Sequence, residues 1–484
     1  NLMNLRRCPS VLLIAMVLSC MMDGPECKGD LRGEALLAAR KATTFYHTEV
    51  AYKGGYLWRY SADLSLREGE GKQTKTTVWI QPPGTPAMGE AYTRLYMATG
   101  DALFLEAAKA TADTLRLGQL RSGGWNNGID FAPDQRVRYA YRVEPLRRKA
   151  RDVSSLDDDK TQSCLRFLIQ LDRATKFRDP AVHEMVTHAL DALLRAQYPN
   201  GAFPQVWDAT PREGTFPALP ASYPDSYSRS YRGHQQYWYR YTLNDNLMPD
   251  VMSVLFLAED VYGDPRYRAA AEKAARFLLL AQLPEPQPAW AQQYDFEMQP
   301  IWARKFEPPA VSGGESQGIL RLLMEYYRRT GNRQYLKPIP PALTYLQRSL
   351  LPDGQLARFY ELQTNRPLYF DREYVLTYDD ANTPTHYGFK VSSKLRGIAD
   401  EYQELIATPA DELKPTWNRW RTVRDREIQR IIDTLDPRGG WVSDDELRFQ
   451  PYQGPILNMQ DAVKNLNALA DFLQSQRDGN DSSN

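Results

Sequence analysis

Apolar residues in this chain recur three and four positions apart over runs of about 12 to 18 residues, the spacing of a helix with one buried stripe. The runs are punctuated in a repeating order. Thr99-Gly-Asp101 opens one that ends at Gly118-Gln-Leu-Arg-Ser-Gly-Gly-Trp125, and Arg178-Asp-Pro180 opens another that ends at Ala196-Gln-Tyr-Pro-Asn-Gly201. Gly263-Asp-Pro265 leads to Ala281-Gln-Leu-Pro284, and Thr330-Gly-Asn332 leads to Leu351-Pro-Asp-Gly354. Each unit holds an Asp or Asn able to cap a helix, the helix itself, and a loop rich in Gly or Pro. Loops of this kind centre on Gly55, Gly124, Gly201, Trp290, Gly354 and Gly440, on average about 77 residues apart, which is room for two helices and their connections. A helical hairpin cannot bury its stripe alone, so hairpins stack, with every Gly-rich loop at one end. The expected fold class is therefore all-α: an α/α toroid, or barrel, whose active face is built from these loops. Strands are expected only at Thr76–Ile80, Leu356–Tyr360 and Arg448–Tyr452.

Residues 1–30 read as an export signal, with Arg6 and Arg7 ahead of an apolar run, Val11 to Met22, that is too short to span a membrane. Val17-Leu-Ser-Cys20 resembles a lipoprotein cleavage box. The expectation is an exported protein: periplasmic, extracellular or lipid-anchored at the cell surface, monomeric, with no transmembrane span. Residues 31–150 are expected to supply N-terminal hairpins, residues 151–476 the catalytic region, and residues 477–484 a disordered tail. The Arg-rich stretch from Arg136 to Asp152 lacks periodicity and reads as a long loop between repeats.

Sixty basic residues balance sixty acidic ones over 484 positions, so no field favours a sequence-independent nucleic-acid partner. Attraction for an anion must be local. The 29 tyrosines and 10 tryptophans include many in loops beside Asn, Gln and Asp, the company that sugar rings keep. Two motif matches fail on geometry. His183 and His188 are five apart and point in different directions from one helix, unlike the i and i+4 pair of a zinc helix. Gly314-Glu-Ser-Gln-Gly318 follows a turn, and Ser312 with Glu315 forms a helix capping box rather than a nucleophile elbow. Trp290 to Asp295 and Trp302 to Pro309 mix aromatic, acidic and basic groups within twenty residues, a set suited to an acidic carbohydrate. Asp245, Asp295, Glu307 and Glu315 lie in or beside the recurring loops. They read either as caps and salt bridges or as carboxylates that converge in a toroid on a Ca²⁺ site with oxygen ligands.

Several ordered blocks carry a resemblance. Asp157-Asp-Asp-Lys-Thr-Gln162, Gln197 to Gln205, Thr242 to Asp245, Trp290 to Asp295, Trp302 to Ser316 and Ala357 to Arg372 resemble the motifs of the family 10 pectate lyases. That family implies an α/α toroid that cleaves polygalacturonate, an acidic polysaccharide, by calcium-assisted β-elimination with an arginine base. Carried onto this chain, the base is Arg358 or Arg372, with Arg358 favoured because a short strand would hold it. Arg304, Arg366, Trp290, Asn244 and Tyr360 become substrate contacts, and Asp245, Asp295 and Glu315 calcium ligands. Ala202-Phe203 replaces the family's Gly-Trp, which removes a stacking surface, and Thr385-His386 stands where the family has an arginine pair. Two other readings stay open: an inverting glycoside hydrolase, and an inactive protein that binds acidic glycans.

Overall fold

The computed structural model describes residues 30–210 and 214–481. The expected export signal lies outside the described residues, apart from Asp30. Among the described residues are thirteen α-helices, and all but one short helix, α4 (Pro133–Arg136), fall into outer and inner sets. The outer helices are α1 (Leu31–Phe45), α3 (Ala102–Gly118), α6 (Pro180–Ala196), α8 (Pro265–Leu280), α10 (Ile339–Arg348) and α12 (Asp425–Asp433). The inner helices are α2 (Thr85–Thr99), α5 (Lys160–Ala174), α7 (Leu247–Tyr262), α9 (Gly313–Thr330), α11 (Leu395–Ala407) and α13 (Met459–Asp481). The two sets alternate along the chain.

Burial separates the sets. Outer α8 hides one face, whereas almost every residue of α5 from Lys160 to Asp172 is buried. An element surrounded on all sides must be ringed by others. Inner α13 packs on α2, α2 on α5, α5 on α7, α7 on α9, and α9 on α11. Between α11 and α13 the ring is completed by the chain around 413–424. There the Glu325 carboxylate accepts hydrogen bonds from the backbone of Thr416 and Trp417, and Asp471 pairs with Arg94 and Arg421. The arrangement is the α/α toroid that the repeat predicts.

Inner helices pass to outer ones through tight corners. α2, α7 and α9 end on Gly100, Gly263 and Gly331, each left-handed, and Asp101 and Asp264 then cap α3 and α8. At the opposite end each outer helix runs into a recurring turn. Leu120 N–H donates to Gly124 O, Tyr198 N–H to Ala202 O, Leu351 N–H to Gln355 O and Asp436 N–H to Gly440 O. A buried side chain follows each turn: Tyr56, Trp125, Phe203, Trp290, Leu356 and Trp441. The indoles of Trp125, Trp290 and Trp441 donate to Leu115 O, Leu278 O and Ile431 O, satisfying carbonyls near the ends of α3, α8 and α12.

The strands stitch neighbouring loops of this end together. Thr77–Trp79 pairs with Gly128–Asp130, Ser154–Ser155 with Val206–Trp207, Tyr241–Thr242 with Gln293–Tyr294, and Ala310–Ser312 with Phe359–Glu361, all antiparallel. Arg59–Ser61 with Ile456–Asn458 joins the last loop to the first. Two of the three expected strands form. Residues 448–452 do not; the strand there is Ile456–Asn458, four positions beyond, where it can reach Arg59–Ser61. The expected tail also changes, because α13 continues to Asp481, with 482–484 outside the described residues.

Gly201 (φ 99°) meets the backbone of α8: a Cβ there would lie 2.0 Å from Lys273 O. Gly354 (φ 78°) occupies the matching turn with open space around it. Gly354→Ala should cost about 1 kcal/mol from backbone strain alone, and Gly201→Ala at least about 3 kcal/mol from strain plus displacement of α8. Urea unfolding checks this, and equal losses would mean that the turn does not bear on α8.

Candidate active site

The loops that run from outer to inner helices all open on one face, and two of them enter their helices in the same way. Leu156-Asp-Asp-Asp159 precedes α5 and Leu243-Asn-Asp-Asn246 precedes α7, with Asp158 (φ 47°), Asp159 (φ 60°), Asp245 (φ 51°) and Asn246 (φ 56°) all left-handed. Asp and Asn tolerate that conformation better than other residues with a Cβ. The shared turn brings Asp157, Asp158 and Asp245 together, one oxygen of each lying within 4.8 Å of the others.

Like charges this close oppose ionisation. The Asp158 carboxyl is pushed up to about 6, first by burial and then by Asp157. Asp245 is pushed up too, by burial and then by Asp158, Asp157 and Glu315. Asp157 alone has a cation in contact, the Lys160 ammonium at 3.1 Å. Next to the cluster, the amide of Asn244 donates to Asp245 Oδ2 at 2.8 Å while its Oδ1 is buried without a partner among the described residues. The buried Oε1 of Gln292 is likewise unpartnered, and its Nε2 donates to Glu315 at 3.2 Å. Carboxylates in excess of cations and spare amide oxygens form an all-oxygen donor set, which fits a hard divalent cation such as Ca²⁺.

A cavity of about 480 Å³ adjoins the cluster, lined by Asp245, Asn246, Glu315, Arg321, Arg358 and Lys394 among others. Arg358 Nε donates to Gly388 O at 2.5 Å, its guanidinium carbon lies 4.9 Å from the Tyr387 ring centroid, and its Nη1 is 3.9 Å from Glu315. Arg304 is held by both oxygens of buried Glu307, through Nε at 2.8 Å and Nη2 at 2.5 Å. Burial alone would lower the Arg304 pKa, but the hydrogen bonds and charge of Glu307 outweigh it and raise the pKa. The charge of Arg304 also acts on Asp245 and Asp158.

The structure thus brings together Asp245, Glu315, Asn244, Arg304 and Arg358. It does not bring the other candidates to this place. Asp295 lines a different cavity, and its Oδ1 accepts the N–H groups of Glu297 and Gln299, so it caps its own turn. Trp290 and Tyr360 are fully buried, and the Tyr360 hydroxyl donates to Ser349 O at 2.6 Å. Both rings pack the scaffold rather than face a ligand. Phe203 is buried in the same recurring position as Trp290, so exchanging Trp for Phe there removes no exposed stacking surface. Arg366 is exposed and stacks 3.3 Å from the Tyr378 ring centroid, while Arg372 is exposed in the turn closed by Asp371; neither lines the cavity. Sequence reasoning missed Asp157, Asp158 and Arg321. The first two were legible, because Leu-Asp-Asp-Asp repeats Leu-Asn-Asp-Asn. Arg321 lies six residues beyond Glu315 on α9, with Gly318 midway along the same face.

The helix-lined toroid thus carries an acidic cluster and facing arginines at its loop end. Residues 119–353 match the model of the pectic acid lyase family. That segment, just under half the chain, holds Asp157, Asp158, Asp245, Arg304 and Glu315, and it stops short of Arg358. No curated protein sequence matches the chain. Among solved structures, a mutant family 10 polysaccharide lyase from Cellvibrio cellulosa in complex with trigalacturonic acid aligns at 21% identity over 66% of this chain and 98% of its own, with a TM-score of 0.47. A second structure of a family 10 polysaccharide lyase from the same organism gives 21% identity, 66% and 97% coverage, and a TM-score of 0.43. A GH76 α-mannanase from Bacteroides thetaiotaomicron gives 10% identity, 93% and 98% coverage, and a TM-score of 0.43.

In the unfolded chain Asp158 has the ordinary value of 3.8, against about 6 when folded. A raised carboxyl pKa means that stability is lost as pH climbs from about 4 through about 6, and a bound cation offsets that loss. Calcium should therefore raise the melting temperature little at about pH 4 and by about 5 °C at about pH 8. Asp245→Asn should melt higher than wild type without calcium and respond to it far less. A calcium increment independent of pH, or intact in Asp245→Asn, would place the cation elsewhere.

Proposed function

We propose that this protein is a pectate lyase that cleaves polygalacturonate by β-elimination, with Ca²⁺ held by Asp157, Asp158 and Asp245. The observation that carries the reading is the convergence of these three carboxylates beside Arg304 and Arg358, within a chain whose residues 119–353 match the pectic acid lyases. Glu315, which faces the same cavity, stands next to this ligand set, and Asn244 Oδ1 supplies a neutral oxygen. When bound, the cation supplies neutralisation of the charge that builds on the uronate carboxylate as its C5 proton leaves.

The chain's own residues do the rest. Arg304, fixed by Glu307, directs a permanent positive charge at the substrate carboxylate, a role that its raised pKa suits. Arg358 is the base. Gly388 O and the Tyr387 ring fix its Nε and its plane, and Glu315 stands 3.9 Å from Nη1 rather than gripping the guanidinium as Glu307 grips Arg304. It takes the C5 proton, the electron pair forms the C4=C5 double bond, the C4–O bond breaks, and the departing oxygen takes a proton from solvent. Lys394 and Arg321, lining the same cavity, receive the neighbouring uronates.

A second assignment has an observation in its favour: Arg304 is the arginine whose charge acts on both Asp245 and Asp158, which would place it over the reacting sugar. Its chelation by Glu307 holds the proton on and argues against it. An inverting hydrolase needs carboxylates about 6.5–9.5 Å apart to seat a water, wider than the spacing within this cluster.

Incubation with polygalacturonate should give ultraviolet absorbance of an unsaturated product with calcium and none with a chelator; reducing ends without that absorbance would mean a hydrolase. Arg358→Lys should lower kcat by about 10²–10⁴-fold with little change in KM, while Arg304→Lys should mainly raise KM. The reverse pattern would make Arg304 the base.

A further inference from the structure

Residues 136–151 carry six arginines and a lysine against one carboxylate, Glu144. In a chain with equal numbers of acids and bases, that is a concentrated positive charge. Only two of these cations are consumed inside the protein: Arg136 pairs with Glu144 and lies over the Tyr141 ring, and Arg142 pairs with Glu184. Arg138, Arg147, Arg148, Lys149 and Arg151 are exposed, and among the described residues none has a carboxylate within ion-pair distance. Such a run is ordinarily a solvated surface, but two features distinguish this one.

The first is its place. The loop leaves the end of α3, returns through Ser154–Ser155, and delivers Asp157 to the acidic cluster, so it lies on the face that holds the cavity. Arg151 lies six positions before Asp157, at most about 20 Å of extended chain. The second is that its neck is fixed. Ala140 N–H donates to Arg151 O at 3.0 Å, Arg151 N–H to Arg138 O at 2.8 Å, and Ser122 N–H to Asp152 Oδ1 at 2.7 Å. The cations are therefore displayed in one place rather than swept over the surface, with Leu146, 65% exposed, between them.

We propose that the 136–151 loop is a distal binding surface for the anionic backbone of an acidic polysaccharide whose reacting unit sits at Asp157, Asp158 and Asp245. The position of the reacting unit rests on the proposed function; the binding itself does not. Each exposed cation contributes little alone and is screened by salt, so the surface acts only on chains long enough to reach several of them. A long polygalacturonate would be held at both places and a trimer at the acidic cluster only.

The test compares wild type with Arg147→Gln/Arg148→Gln/Lys149→Gln, whose exposed positions should leave the melting temperature unchanged. Affinity is measured for long polygalacturonate and for trigalacturonate with calcium present, both proteins carrying Arg358→Lys to suppress turnover, at low and high salt. At low salt the variant should bind the long chain about tenfold more weakly and the trimer as wild type does, with the difference gone at high salt. Undiminished affinity for the long chain overturns the proposal, as does an equal loss for the trimer. So does a variant that loses duplex DNA binding while keeping polygalacturonate, which would assign the loop to nucleic acid. If wild type shows no lyase product but the length-dependent loss is seen, the proposed reaction falls and the binding surface stands.

Discussion

Everything at the loop end follows from the burial of the inner helices. α5 hides nearly its whole length, so it needs neighbours on every side, and only a ring gives each inner helix two inner neighbours and an outer shell. Once the ring exists, the N-termini of the inner helices point to one face. Those termini carry partial positive charge and unsatisfied N–H groups, so acidic residues are tolerated there more readily than elsewhere. Asp158, Asp245 and Glu315 stand at the starts of α5, α7 and α9. Each would be unremarkable as a helix-end acid on a separate helix; the ring makes them neighbours, and their mutual repulsion is what a cation can relieve.

Much of this was legible because it is local. The capping residues at Asp101, Asp179 and Asp264, the left-handed glycines, and the 3.6-residue periodicity act over a few residues and survive in any context. The resemblance implies that Trp290 and Tyr360 contact substrate, but an aromatic ring in a loop or short strand has the same sequence signature whether it faces in or out. The repeat would have decided it. Trp125, Trp290 and Trp441 occupy one position of one turn, and a side chain needed at every turn serves the turn rather than one substrate. Asp295 misled in a related way, since an Asp followed by a tight turn satisfies its own backbone before it is free to bind anything.

The same reasoning applied in the other direction would have found Asp157 and Asp158. Leu-Asp-Asp-Asp and Leu-Asn-Asp-Asn are one turn used twice, and α5 and α7 are adjacent in the ring, so whatever Asp245 does Asp158 must do beside it. What no local pattern carries is the ring's incomplete side. α11 buries only Leu395, Ile398 and Leu405, and on that side α13 is tied to α9 through the 413–424 segment, held by Glu325 and Asp471. Those contacts join residues about 50 to 90 positions apart in sequence, where periodicity says nothing.

The two arginines show how the scaffold can divide labour between identical side chains. Arg304 sits against a buried glutamate that matches its fork and offers no competing use, so its charge is fixed in amount and direction. Arg358 is anchored at Nε by a neutral carbonyl and along its plane by Tyr387, with the Glu315 carboxylate farther off, 3.9 Å from Nη1. A carboxylate partner stabilises the protonated form of an arginine, and a carbonyl does so more weakly. Arg304 thus keeps its charge bound to Glu307, whereas Arg358, held chiefly by a carbonyl and a ring, lines the cavity. The roles proposed for the two arginines therefore rest on what holds each of them in place.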